Sequence, residues 1–177
     1  MRKSQYAGVV IALAMLLAHG PTVASAENLN VLRLKLNNTG PAVVTGRISG
    51  KGDFITSPPT DTFDVLSPIS FHLTDAVAAS LDVTHTWAPS ECVTVPSGRI
   101  KCKNFDPSGN VSTASFSPVP ATPQVVRFKF KMSGLNIHAP FYQPIETDLS
   151  HGTTPTLRTN SFNECKTLVY GLLCRHL

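Results

Sequence analysis

The stretch VRFKFKM, residues 126–132, decides the fold class. Side chains alternate across an extended chain, so Val126, Phe128, Phe130 and Met132 share one face and Arg127, Lys129 and Lys131 share the other. A helix would spread those apolar residues around its circumference, so the period of two predicts a half-buried β-strand. The same reading applies to VLRLKL (31–36), with Leu32, Leu34 and Leu36 opposite Arg33 and Lys35, and to PISFHL (68–73), with Ile69, Phe71 and Leu73 together. Gly50-Lys51-Gly52, Ser57-Pro58-Pro59, Asp106-Pro107-Ser108-Gly109 and Pro118-Val119-Pro120 read as breaks between strands. Only TDAVAASLD (74–82) has helix-favouring composition, enough for one or two turns at a connection. The expectation is an all-β chain folded as an antiparallel β-sandwich.

Two phrases, ECVTVPSGRIKCK (91–103) and ECKTLVYGLLCRH (164–176), contain every cysteine. In the first, Pro96-Ser97-Gly98 suits a three-residue hairpin loop, because Pro presets the first turn position and Gly accepts the left-handed conformation. Counting outward pairs Val95 with Arg99, Val93 with Lys101 and Cys92 with Cys102, which brings two sulfurs within bonding reach. In the second phrase Cys174 arrives one residue early, so a Cys165–Cys174 hairpin must be one residue shorter in loop or bulge. Either bond would contribute about 2 to 3 kcal/mol by closing a small loop.

The likeness extends upstream. Thr74-Asp75 stands 17 residues before Cys92, as Thr147-Asp148 stands 17 before Cys165, and VLRLKLNNTG (31–40) is similar to VVRFKFKMSG (125–134). These parallels predict two pseudo-repeated β units, 27–104 ending in the Cys92/Cys102 hairpin and 105–177 ending in the Cys165/Cys174 hairpin. About 73 residues form a marginal core alone, so the alternative is one domain over 27–177 in which the second unit completes the first unit's sandwich. The two-sheet architecture resembles immunoglobulin-like and fibronectin-like modules. Here, however, the cysteine pairs fall within hairpins instead of bridging sheets, and no functional residue carries over.

The chain opens with Met1-Arg2-Lys3, an apolar run from Ala7 to Ala18 and an Ala24-Ser25-Ala26 site, the pattern of a secretory signal peptide at 1–26. The run falls short of the roughly 20 apolar residues a membrane-spanning helix needs, and no later stretch is a candidate. Losing Arg2 and Lys3 leaves 13 basic against 11 acidic residues, a net charge of +2, which gives little support to a nucleic-acid partner. Four cysteines, an even number, in an exported chain predict two disulfides and a secreted, extracellular or periplasmic location.

Sequence motifs for chemistry are sparse. GRISGKG (46–52) lacks the spacing of a phosphate loop and reads as a glycine-rich turn. No G-x-S-x-G or H-E-x-x-H occurs. DPSGN (106–110) lacks the later carboxylate of a calcium loop and reads as a β-turn. The cysteine spacings do not fit structural zinc, so neither a metal nor a cofactor is expected. Asp75, Asp82 and His85, with His72 nearby, are the nearest approach to an acid/base cluster. His85 shares the parity of Leu81, Val83 and Trp87, which places it at the core margin with a hydrogen-bond partner. Trp87, Tyr142 and Tyr170 could serve a sugar platform but read better as core or rim residues. Asn37-Asn38-Thr39 and Asn110-Val111-Ser112 are glycosylation sequons in hosts that use them.

Three basic strand faces remain: Arg33 with Lys35; Arg99, Lys101 and Lys103; and Arg127, Lys129 and Lys131. Adjoining, they would form a binding surface for an acidic extracellular protein or an anionic envelope polymer. The plainer reading is a solvated face with lysines guarding strand edges. GKGDFITSPPTDTF (50–63) and HAPFYQPIETD (138–148) are the longest irregular stretches for contacts. The expectation is a secreted or envelope-associated, non-enzymatic structural or binding module. The alternatives are a small secreted hydrolase or carbohydrate-active protein, and an inhibitor or effector presenting the stapled TVPSGR loop.

Overall fold

The computed structural model describes residues 27–38, 46–57, 62–77, 80–152 and 156–175. The leader expected at 1–26 lies outside them, as do Thr39 of the first sequon and Ala78 and Ala79 of the expected helical turn. Among the described residues, alternating sequence gives 12 strands. They are β1 (Glu27–Asn37), β2 (Gly46–Ile55), β3 (Ile69–Asp75), β4 (Asp82–Trp87), β5 (Cys92–Thr94) and β6 (Ile100–Phe105), followed by β7 (Val111–Val119), β8 (Thr122–Leu135), β9 (Ile145–His151), β10 (Thr156–Phe162), β11 (Cys165–Leu168) and β12 (Gly171–Arg175).

Two antiparallel sheets pack together as a sandwich. The smaller runs β4-β3-β9-β10 and the larger β11-β12-β1-β2-β8-β7-β6-β5. β1 belongs to both: Glu27 and Asn28 pair in parallel with Arg158 and Thr159 of β10, after which the strand crosses to lie between β12 and β2. The core fills the space between sheets. Phe71 of β3 meets Phe130 and Phe128 of β8 at ring-centroid distances of 4.3 and 5.5 Å, and Trp87 of β4 meets Phe71 edge-on at 6.2 Å. The buried Trp87 indole donates from Nε1 to the Ser112 carbonyl at 3.4 Å, satisfying its polar atom inside the core. Each such aromatic or aliphatic side chain contributes on the order of 1.5–3 kcal/mol by leaving water.

Both cysteine hairpins form with the expected register. Cys92 pairs with Cys102, Val95 N–H donates to Arg99 O at 2.9 Å, and Gly98 takes φ 73° at the turn. Cys165 pairs with Cys174 and Leu168 with Gly171, leaving the two-residue loop Val169-Tyr170, one residue shorter than its counterpart. Both disulfides are closed, as suits an oxidising, extracellular-type environment. Each hairpin occupies one lateral edge of the larger sheet. A covalent staple there holds a short strand over what would otherwise be an open ladder of unpaired backbone groups.

The strand order is symmetrical. Exchanging each of the first six strands with the strand six places later, and reading backward, reproduces both sheets. Strands from 27–104 and 105–177 are interleaved: β3 pairs with β9, β2 with β8, β6 with β7, and β12 with β1. In this order β1 corresponds to β7 and β8 to β2. VLRLKLNNTG and VVRFKFKMSG therefore lie on strands that do not correspond in this order.

Several local expectations are corrected. Leu32 does not share a face with Leu34 and Leu36: a bulge between Val31 and Arg33 shifts the phase, leaving Leu32 44 % exposed while Val31, Leu34 and Leu36 are buried. Gly50-Lys51-Gly52 is not a break, nor is GRISGKG a turn; both lie within β2, where Gly46, Ile48, Gly50, Gly52 and Phe54 all face inward. A Cβ on Gly50 would lie 2.5 Å from the Phe130 ring, and one on Gly52 would lie 2.0 Å from the Asn30 carbonyl oxygen. Glycine is thus required by close packing rather than by a bend. Pro118 and Val119 lie within β7, and only Pro120-Ala121 turns the chain. The 74–82 segment ends β3 and begins β4, with Ala76 and Val77 in a turn. The one helical element among the described residues is the 3-10 turn Pro89–Glu91.

Candidate functional site

Alternation, once the strands are paired, sorts charge between the two faces of the molecule. Among the described residues every Lys and Arg except Arg158 lies on the larger sheet or its hairpins. Arg158 is buried beneath the smaller sheet with its guanidinium 4.6 Å over the Phe54 ring. The outer face of the smaller sheet carries Asp82, Glu146 and Asp148 around His72.

On the larger sheet, register brings the basic residues together. Lys101, Ser115 and Lys129 stand in one cross-strand row of β6, β7 and β8, and Lys103, Thr113 and Lys131 in the next. Strands are about 4.8 Å apart, so the two lysine columns face each other across about 10 Å with the small residues of β7 between them. The result is an open groove of about 580 Å³ lined by Arg99, Lys101, Lys103, Lys129 and Lys131. Glu91 also reaches this groove, but its carboxylate accepts from the Asn104 side chain and from Ala88 N–H, the latter at 2.9 Å. Arg127 stands a row away, in register with Asp53 and Ser117, and does not line the groove.

The basic face is wider than these six residues. Arg175, Arg33, Lys51 and Lys129 occupy directly opposed positions on β12, β1, β2 and β8. All four are exposed, and none pairs with a carboxylate among the described residues. Like charges directly opposite one another are destabilising, so the fold bears a cost here that neutral residues would avoid. Lys51 and Arg47 were hidden in the sequence because β2 carries glycines at inward positions. Its alternating outward set Arg47, Ser49, Lys51 and Asp53 was the signal that could have found them.

The acid/base cluster expected at Asp75, Asp82, His85 and His72 separates. His72 Nε2 lies 3.0 Å from Asp82 Oδ1, and its Nδ1 lies 3.4 Å from Asp148 Oδ2, a partner on β9 that was not foreseen in this role. Burial opposes the charge on His72, but hydrogen bonds to and charges on both aspartates outweigh it, and its pKa is raised. His85 instead packs against Trp87 at 4.5 Å with Nε2 buried and without a hydrogen-bond partner, contrary to expectation. Its pKa is lowered by burial, with the Glu91 charge acting in the opposite direction. Asp75 is buried on the other face of β3 and accepts from Tyr142 N–H at 3.1 Å.

The remaining candidates are dispersed. Trp87 belongs to the core, whereas Tyr142 and Tyr170 are exposed in separate segments. Residues 50–55 and 145–148 of the two irregular stretches are strand, in β2 and β9. DPSGN turns β6 into β7, with Asp106 accepting from both the backbone and the side chain of Asn110 at 2.8 Å. At the TVPSGR tip Pro96, Ser97 and Gly98 are exposed, and Arg99 turns into the lysine groove. No protein-family model matches the chain, and no curated protein or solved structure matches it either.

Proposed function

We propose that this chain is a secreted or envelope-associated, non-enzymatic binding module whose larger sheet presents its outer face to an anionic partner. The supporting observation is the uncompensated row Arg175, Arg33, Lys51 and Lys129, adjoining a lysine-lined groove. A stable sheet gains nothing from that row, whereas a polyanion turns the mutual repulsion into attraction on binding. Export through the leader expected at 1–26 accords with the two disulfides. The symmetrical strand order supports two duplicated units, each lending its stapled hairpin to the other's half of the sheet.

The test is retention of the mature chain, from residue 27 onward, on immobilised polygalacturonate and polyglutamate across a salt series. The Arg127→Glu, Lys129→Glu and Lys131→Glu triple variant runs alongside. Tight retention at low salt, falling steeply as salt rises and lost in the variant, is expected because the binding is ionic. Passage of the wild type through both columns at low salt, or equal retention of the variant, would defeat the proposal.

A further inference from the structure

We infer that the cross-strand row Arg175, Arg33, Lys51, Lys129 and Lys101 is a track for a linear acidic polysaccharide carrying one anionic group per sugar. The inference rests on the proposed anion-binding role of this face and adds the ligand's class and direction. The row runs perpendicular to the strands: Arg175 is in register with Arg33, Arg33 with Lys51, Lys51 with Lys129, and Lys129 with Lys101 through Ser115. Four of its positions on consecutive strands are cationic. The charges therefore recur at about the strand spacing of 4.8 Å, which is near the length of one sugar in an extended chain. Five strand steps separate Arg175 from Lys101, a span of about 24 Å.

Two features favour a flexible sugar chain over the flat surface of a folded acidic protein. Sheets twist by about 20–25° per strand, so the side chains from Arg175 to Lys129 fan through about 60–75°. A polymer can wind along that fan, while a rigid surface meets only part of it. Hydroxyl residues are also interleaved with the cations on the same outward face: Ser49 on β2, and Thr113 and Ser115 on β7. They can donate to and accept from sugar hydroxyls. Arg175 also lines a second open cleft of about 660 Å³ with Ser161, Asn163, Lys166 and the carboxylate-bearing Glu164, so the track ends beside polar side chains of mixed charge.

Oligogalacturonates of increasing length test the track by titration calorimetry at low salt. Affinity is expected to climb with length and to level off once the chain spans the row. Lys51→Gln combined with Lys129→Gln removes two row positions, and Lys35→Gln combined with Arg47→Gln removes two cations on β1 and β2 that lie outside both the row and the lysine groove. Each exposed ion pair is worth about a two- to fivefold change, so the row variant should bind about tenfold more weakly and lose the length dependence. The off-row variant should keep that dependence. Equal weakening of both variants, or affinity that ignores length, overturns the track while leaving a basic face that binds polyanions. Binding to polyglutamate with none to any oligogalacturonate overturns the sugar ligand. Binding to neither overturns the track and the proposed function together.

Discussion

Replacing Lys51 with Glu should make the free protein more stable while weakening its grip on anions. Lys51 stands directly between Arg33 and Lys129, in register with both. Cross-strand pairs contribute roughly 0.2–1 kcal/mol each, unfavourable for like charges and favourable for opposite ones. Lys51→Glu removes two repulsions and creates two attractions, for a gain of about 1–2 kcal/mol in total after allowing for solvent exposure. In a domain of about 150 residues this corresponds to a rise in melting temperature of about 3–6 °C, measurable by calorimetry. The gain should shrink toward zero at about 1 M salt, where screening acts over about 3 Å. A variant that is less stable than the wild type at low salt, or a gain that persists unchanged at high salt, would refute the argument that the row is electrostatically strained.

Two further predictions concern the core and pH. Gly52→Ala should cost about 2–3 kcal/mol in urea unfolding because the new methyl meets backbone on β1. Gly109→Ala, at φ 81° with nothing within 4 Å of a Cβ, should cost only about 1–2 kcal/mol of left-handed strain, and a reversed order would contradict the packing role of Gly52. The two histidines should pull stability in opposite directions with pH. His72, whose folded pKa is raised, contributes fully below its unfolded value of 6.5 and loses that contribution as pH rises through the folded pKa. His85, whose folded pKa is lowered, contributes above 6.5 and loses that contribution as pH falls. Urea unfolding at about pH 5.5 and about pH 8 should therefore show His72→Gln losing more stability in acid and His85→Phe losing less. Parallel pH profiles for the two variants would dismiss both assignments.

Sequence by itself determined what depends on near neighbours. A period of two is a steric property of the extended chain, so VRFKFKM announced β8 and its two faces without help from the rest of the molecule. Hairpin pairing is similarly local, because a three-residue turn sets the register that joins Cys92 to Cys102. Where local reading failed, a remote strand was responsible. Gly50 and Gly52 look like turn residues until the Phe130 ring and the bulged β1 occupy the space above them. Leu32 leaves the pattern of its neighbours because β1 changes sheets beside it. The site divides in the same way. Sequence placed Lys129 and Lys131 on an outward face, and Lys101 and Lys103 on another. Only the tertiary structure set them across a groove, put Arg33, Lys51 and Arg175 in line with Lys129, and brought Asp148 to His72 from 76 residues away. Alternation fixes which way a side chain points. Its neighbours across the sheet depend on loop closure and on packing between strands far apart in the chain, and no local pattern encodes those.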